Sequence, residues 1–250
     1  MDSSIYILDI SQNDMDAPNF SLLGRLDLLN IGENSKGATD ILTAHMAVSS
    51  DDQWLAIATH NHQVLIFHLD SLRLYAKLPL YDYPVTCLSF HPQNSTLAIA
   101  LTSNQFYLYD VEKAAYEDWT REYLNRLPSR LLNRKEIIMG CCFNASKPNG
   151  LILWGSTYFC NVDLQKSVGS SDLLISESKR KKVEGTEENS SKSCKNSKND
   201  GFSESFKMDH RYGPLMFLDC IGNEIVIVER PALSIMKNLP LSYYKHAYGT

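Results

Sequence analysis

The chain has 250 residues, 44% of them hydrophobic and 10% aromatic, with a formal net charge of −5 at neutral pH. That length buries a core of ordinary size, and that charge balance excludes the basic footprint of a protein that grips nucleic acid directly, so any RNA connection is expected to run through partners. Nothing approaches the roughly 18 apolar residues of a membrane span, and Met1–Asp9 lacks the pattern of a signal peptide, which predicts a soluble, intracellular chain.

Taken in order, short runs of β-branched and aromatic residues recur between turn residues, the pattern of an all-β fold built from hairpins. The first is Ser4–Ile10, followed by the loop Gly32–Gly37 (GENSKG). This loop superficially resembles a phosphate loop, but Ala38 stands where lysine is required and no strand–loop–helix context surrounds it. Then come Trp54–Thr59, Val64–Leu69, Val85–Phe90, Thr96–Leu101 and Gln105–Val111. His45, His60, His62 and His68 fall within this region, and their spacing reads as turn and packing histidines rather than a zinc site. Later runs are Ile137–Phe143, Leu151–Trp154, Tyr158–Val162, Leu215–Cys220 and Glu224–Glu229.

Self-comparison gives the architecture. Leu55-Ala56-Ile57-Ala58 realigns with Leu97-Ala98-Ile99-Ala100 at an offset of 42 residues, with Val48 meeting Phe90 and Val64–Leu69 meeting Phe106–Val111. A period near 42 with about four strands per unit is the spacing of β-propeller blades. The small alanines of the second strand are expected at a crowded position near the propeller axis.

A third, degenerate unit runs from Ile138 through the Lys147–Gly150 turn to Leu164, stretched by Ala114–Asn133. Trp119, Tyr123, Leu124 and Leu127 there mark one buried face of a helical insertion. Residues 165–210 are rich in Ser, Lys, Asn and Glu and are expected to be a disordered loop between the third and fourth strands of a blade. Within it, Lys179, Arg180, Lys181 and Lys182 form a run suited to a nuclear or nucleolar signal. After Pro231, Leu233, Met236 and Leu239 are spaced for a short helix. With Tyr243 and Tyr244 of the basic-aromatic tail, they are the candidate partner contacts.

Six cysteines, Cys87, Cys141, Cys142, Cys160, Cys194 and Cys220, form no CxxC pair and read as reduced residues of a cytosolic or nuclear protein. Cys141 and Cys142 point to opposite faces of a strand and are expected to fill cores. No local signature of a nucleophile, base or paired carboxylates appears, so no catalytic, cofactor or metal residue is assigned. A propeller enzyme with an axial site would need inward acids or histidines, whereas the repeated positions taken as innermost are Ala and Ile.

These residues resemble the WD40 superfamily and, closely, one member family: cirhin, a nucleolar protein of the small-subunit processome. The resemblance rests on the Val85–Val111 blade, on Asp118-Trp119-Thr120-Arg121 leading to Leu127-Pro128, and on Tyr212–Asp219 followed by Ile225–Pro231. The last element is Leu239-Pro240 through Tyr248-Gly249-Thr250. Tyr109-Asp110, Phe67-His68 and Val162-Asp163 stand where Trp-Asp would be, and Ala44-His45 resembles the Gly-His that opens a blade. The resemblance implies a non-catalytic scaffold that holds other propeller-type processome proteins and, indirectly, the pre-rRNA ribonucleoprotein. It implies support of pre-rRNA transcription and processing towards 18S rRNA in the nucleus and nucleolus, with no membrane or small-molecule substrate. A WD40 adaptor of ubiquitin ligation or trafficking is the alternative. Members of that family look like longer double propellers, which makes this chain a counterpart of their C-terminal portion, as a fragment, a short isoform or an incomplete gene model. The expected organisation is a partial WD40-type propeller of about four blades over 1–164, the insert at 165–210, closing strands at 211–230, and a helix and tail at 231–250.

Overall fold

The computed structural model describes residues 4–11, 19–27, 42–144, 147, 149–165, 205–211, 214–221 and 224–230. Strands β1 (Ser4–Ser11) and β2 (Asn19–Asp27) form an antiparallel hairpin. Three four-stranded meanders follow. The first is β3 (Thr43–Val48), β4 (Trp54–Thr59), β5 (Val64–His68) and β6 (Arg73–Lys77), and the second is β7 (Val85–Phe90), β8 (Thr96–Leu101), β9 (Phe106–Asp110) and β10 (Ala115–Tyr116). The third is β11 (Gly140–Phe143), β12 (Gly150–Trp154), β13 (Phe159–Asp163) and β14 (Phe206–Asp209), and a last hairpin joins β15 (Leu215–Ile221) to β16 (Glu224–Glu229). Each strand pairs with its neighbour in sequence, and the first strands meet in succession, β3 with β7, β7 with β11 and β11 with β15. Those strands are therefore innermost, and the sheets stack face to face around them as the blades of a WD40-type β-propeller. About four blades were expected, and the described residues form three complete ones and two two-stranded halves.

The period of 42 is visible in the backbone itself. His62 and Asn104, 42 residues apart, hold φ of 60° and 62° in the turn between second and third strands. Leu72 and Ala114 repeat the pattern with φ of 51° and 49° in the next turn. Between blades, the Ser50 hydroxyl donates to the carbonyl of Pro92, at the equivalent turn of the second unit, at 2.9 Å. The Leu-Ala-Ile-Ala stretches lie in β4 and β8, which are buried at every position. These are second strands, one removed from the axis, so the expectation that placed their alanines at the axis is corrected. The crowding arises because both faces of the strand are covered by neighbouring sheets.

The insertion between the second and third blades is broken rather than one helix. It comprises α1 (Asp118–Tyr123), a 3-10 turn (Leu124–Arg126) and α2 (Ser129–Leu132), with Pro128 at the N-cap of α2 because proline has no N–H to continue a preceding turn. Its buried face is as expected: Trp119 stacks on Phe106 with ring centroids 5.0 Å apart, and Leu127 and Leu131 are buried. Because β10 has only two residues, α1 covers the rest of the β9 edge. The Thr120 hydroxyl accepts from the Leu108 N–H at 2.8 Å and donates to its carbonyl at 3.3 Å, while the Glu117 N–H donates to the same carbonyl at 2.9 Å. An edge that would otherwise invite a foreign strand is thereby occupied.

The chain leaving the insertion is held by Asn104, whose amide nitrogen donates to the carbonyls of Arg134 and Glu136 at 3.4 and 3.0 Å. Its side-chain oxygen accepts from the Ile138 N–H at 2.8 Å. Arg130 of α2 donates to the Phe206 carbonyl at 2.6 Å, tying the insertion to β14. That strand corrects the insert boundary, since Phe206–Asp209 were expected within the loop and instead pair with β13 as Val162↔Phe206 and Phe159↔Asp209. Leu215–Cys220, expected to pair directly with Tyr158–Val162, belongs to the separate final hairpin. Low hydrophobicity around Phe206-Lys207-Met208-Asp209 hid a strand whose hydrogen bonds are supplied by a partner distant in sequence.

The terminal hairpins pack on the outer blades through one face each. Ile5, Ile7 and Leu26 lie against Leu55, Ile57, Leu65 and Phe67. Leu215, Leu218 and Ile227 lie against Cys142, Ile152 and Trp154. Gly140 is required in β11, because a Cβ there would run into the Trp154 ring.

Two substitutions test these backbone constraints. Ala114 is exposed and left-handed, a conformation that costs an L-residue about 1–2 kcal/mol, so Ala114→Gly should raise stability by roughly 1 kcal/mol in urea unfolding. Asn104→Ala should lower it by roughly 3 kcal/mol, since it leaves the Ile138 N–H unsatisfied and places alanine at positive φ. Asn104→Gly should recover only the backbone part of that loss.

Candidate interaction surface

The described chemistry-bearing residues do not converge. His45 lies on β3, with burial and then His60 holding its imidazole below the ordinary range, while His60 and His62 sit in the β4–β5 turn. His68 ends β5 and meets the Trp54 ring edge-on at 4.9 Å. Among the described residues no group of three or more His, Cys, Asp or Glu is placed to hold a metal. Cys141 and Cys142 face opposite blades. Cys141 packs on the core that contains Cys87, and the Cys142 sulfur lies 3.4 Å from that of Cys220 in the final hairpin. The hydrogen bond to Cys220 and burial push the Cys142 thiol up, and the Cys87 contact and burial do the same to Cys141, which makes both poor nucleophiles. Lys179, Arg180, Lys181 and Lys182, the loop Gly32–Gly37, and Leu233, Met236, Leu239, Tyr243 and Tyr244 with their expected helix all lie outside the described residues.

The innermost strands enclose a crevice of about 390 Å³ lined by Val48, Leu88, Phe90, Gly140, Phe217 and Asp219 among others. The repeated residues nearest the axis are therefore those of the first strands, not the Ala-Ile strands expected there. Asp219 is the carboxylate on this crevice, which Ser89 and the thiols of Cys87 and Cys141 also line. Asp110, at the place of a Trp-Asp aspartate, is a buried structural group. It accepts from the Ser95 hydroxyl at 3.3 Å and the Lys113 N–H at 3.0 Å, and although burial opposes its charge, Lys113 holds its carboxyl below the usual range.

A surface suited to binding lies instead beside the insertion. Tyr107 and Tyr109 alternate with Leu108 on β9 and so share a face, and Tyr116 is placed opposite Tyr109 by the β9–β10 register. The β6–β7 linker carries Tyr81 into this group, with its hydroxyl 3.0 Å from that of Tyr116 and its ring 5.1 Å from Tyr107. Next to them is a groove of about 370 Å³ bounded by Leu80, Tyr81, Tyr107, Tyr116, Arg121 and Leu124. Leu80 is 67% exposed at its rim. An aromatic floor, one exposed leucine and a rim arginine are the composition of a protein-binding patch rather than of a catalytic pocket. The Tyr-x-Tyr alternation was present in the sequence, but pairing and the linker path were needed to assemble the cluster.

Residues 46–120 match the Anaphase-promoting complex subunit 4 WD40 domain. The chain is also similar, at 24% identity across its whole length, to a fission yeast protein (Schizosaccharomyces pombe) named U3 small nucleolar RNA-associated protein 4, of which the match covers 37%. The mouse (Mus musculus) homologue of that name is 28% identical over 82% of the chain and 29% of its own length. The chain thus spans about a third of the length of these relatives. Among solved structures, U3-55K superposes with a TM-score of 0.48 at 10% identity, covering 76% of this chain and 46% of that one.

Burial raises the phenols of Tyr81, Tyr107, Tyr109 and Tyr116 above their ordinary value. A phenol raised in the folded state favours folding below its unfolded value near pH 10, and that contribution is lost as pH climbs through the folded value. In an ultraviolet titration these tyrosines should therefore ionise late, together with alkaline unfolding. Tyr81→Phe should reduce the late-ionising fraction, and a titration in which every tyrosine ionises near pH 10 in the folded protein would show the cluster to be open.

Proposed function

We propose that the chain is a non-catalytic scaffold of the small-subunit processome, of the cirhin type, that supports pre-rRNA transcription and processing towards 18S rRNA in the nucleolus. The observation that carries this reading is similarity, over 82% to 100% of the chain, to proteins named for association with U3 small nucleolar RNA. The fold is consistent with it, because blades packed through apolar faces leave loops, a tyrosine-floored groove and sheet edges for partners. The net charge of −5 favours protein neighbours over direct RNA contact, so the pre-rRNA ribonucleoprotein is reached through other propeller-type subunits. Localisation is assigned to Lys179–Lys182, a basic run of the import type. A second reading, an adaptor in another intracellular complex such as a ubiquitin ligase, is favoured by the family match over residues 46–120. That match covers blade residues and omits the C-terminal stretches, Tyr212–Pro231 and Leu239–Thr250, that carry part of the cirhin resemblance.

Affinity purification from nucleolar extract should recover propeller-type processome subunits together with U3 ribonucleoprotein, and Leu80→Glu should weaken that recovery if the tyrosine groove is a contact. Recovery of ubiquitin-ligase components alone would favour the adaptor. Replacing residues 166–204 with a short turn retains β14, whose Ser205 carbonyl accepts from the Asp163 N–H at 2.8 Å. Loop-closure cost changes slowly with length, about 0.6 kcal/mol per doubling. The shortened chain should stay folded and lose nucleolar accumulation, and unchanged accumulation would assign localisation to partner binding.

A further inference from the structure

We propose that Cys142 of β11 and Cys220 of β15 form a peroxide-sensitive dithiol, which hydrogen peroxide converts to a disulfide that fastens the final hairpin to the third blade. The two sulfurs lie 3.4 Å apart although 78 residues separate them in the chain. Both belong to the small core under the hairpin, with Ile152, Trp154, Leu215 and Leu218 around them. A bond needs the sulfurs to close by roughly 1.4 Å, to about 2.05 Å, which side-chain rotation on adjoining strands supplies. Strand geometry selects this pair. Cys141 and Cys142 point to opposite faces of β11, and Cys141 packs in the core that contains Cys87, away from Cys220. Strands β11 and β15 belong to separate sheets, so the new bond joins elements that strand pairing does not.

The two thiols differ in the way such a reaction requires. Cys142 is buried and Cys220 half-buried. The hydrogen bond from Cys142 holds the Cys220 thiol below its ordinary range, against burial and the Asp219 carboxylate. The same contact and burial push Cys142 up. Cys220 is therefore the thiolate that attacks, and Cys142 the thiol that resolves. The Cys220 sulfur takes one peroxide oxygen as the O–O bond breaks, becoming a sulfenic acid and releasing hydroxide. That hydroxide removes the Cys142 proton and becomes water. The Cys142 sulfur then attacks the Cys220 sulfur, the S–O bond breaks and a second hydroxide leaves. Each sulfur gives up one electron, and the peroxide takes both. In a compartment that keeps thiols reduced, a bond of this kind is transient and is reversed by thiol exchange.

The inference does not depend on the processome reading and is tested on the purified, fully reduced chain in its native state. After treatment with hydrogen peroxide, a non-reducing peptide map should show Cys142 joined to Cys220 within one chain as the first disulfide. The thermal midpoint without reductant should then rise by several degrees. Cys220→Ser should abolish that link and slow the first loss of thiol at least about tenfold. Cys142→Ser should stop the reaction at the Cys220 sulfenic acid, which dimedone traps. Circular dichroism checks the fold of each variant, with Cys142→Ala as the substitute should Cys142→Ser misfold. In concentrated urea the preference for this pair should vanish, because the fold alone brings the two sulfurs together. A first disulfide that uses Cys194, which lies outside the described residues, overturns the proposal, as does one that joins two chains or links Cys87 to Cys141. So does a Cys220→Ser chain that loses its first thiol at the wild-type rate, or a preference that survives in urea.

Discussion

The structure depends on covering both faces of the second strand of every blade. Strands β4, β8 and β12 are buried along their whole length, so none of these sheets is stable in water by itself. Each needs a sheet on either side, and alanine at alternate positions of β4 and β8 lets the neighbours approach to the roughly 10 Å of face-to-face packing. The array is consequently cooperative between nearest neighbours, as in other repeat architectures. Its stability is spread over two large cores that run from blade to blade, with a smaller one under each terminal hairpin.

The insertion answers a local problem created by the repeat. The second blade carries a fourth strand of only two residues, which leaves the β9 backbone without a full partner. Thr120 and Glu117 fill that place, Trp119 seals it against Phe106, and Asn104 and Arg130 fasten the segment to the blades on either side. A departure from the period has thereby become a brace between the second and third blades. The same segment forms one wall of the tyrosine groove, so the element that protects an edge also shapes a binding surface.

Function of this kind comes from surfaces rather than from reactive groups. Burial and their sulfur neighbours push the thiols of Cys141 and Cys142 up, Asp110 is committed to a turn, and the axial crevice sets Asp219 and Ser89 among mostly apolar side chains. On the proposed scaffold reading the chain acts by what it holds in place, which is a property of the arrangement of loops, grooves and edges and not of a local residue pattern.

The sequence alone determined the fold class, because the 42-residue offset and two-residue alternation are direct consequences of strand geometry and appear wherever a strand is buried. Trp54–Thr59, Val85–Phe90, Thr96–Leu101 and Glu224–Glu229 were legible to the residue. Strands with weak or mixed patterns were not: β6 has exposed residues at alternate positions, β14 lies beside a polar stretch, and β2 carries Gly24 and Arg25 in its second half. Such strands are set by the hydrogen bonds a neighbour offers, which no local composition encodes. Tertiary structure also decided which strands are innermost, how Tyr81 joins Tyr107 and Tyr116 across 35 residues, and that Met46 and Val48 are exposed while Phe90 is buried and Leu88 half-buried. Periodicity reports that a side chain faces a sheet; only the stacking of sheets settles whether another sheet lies over it.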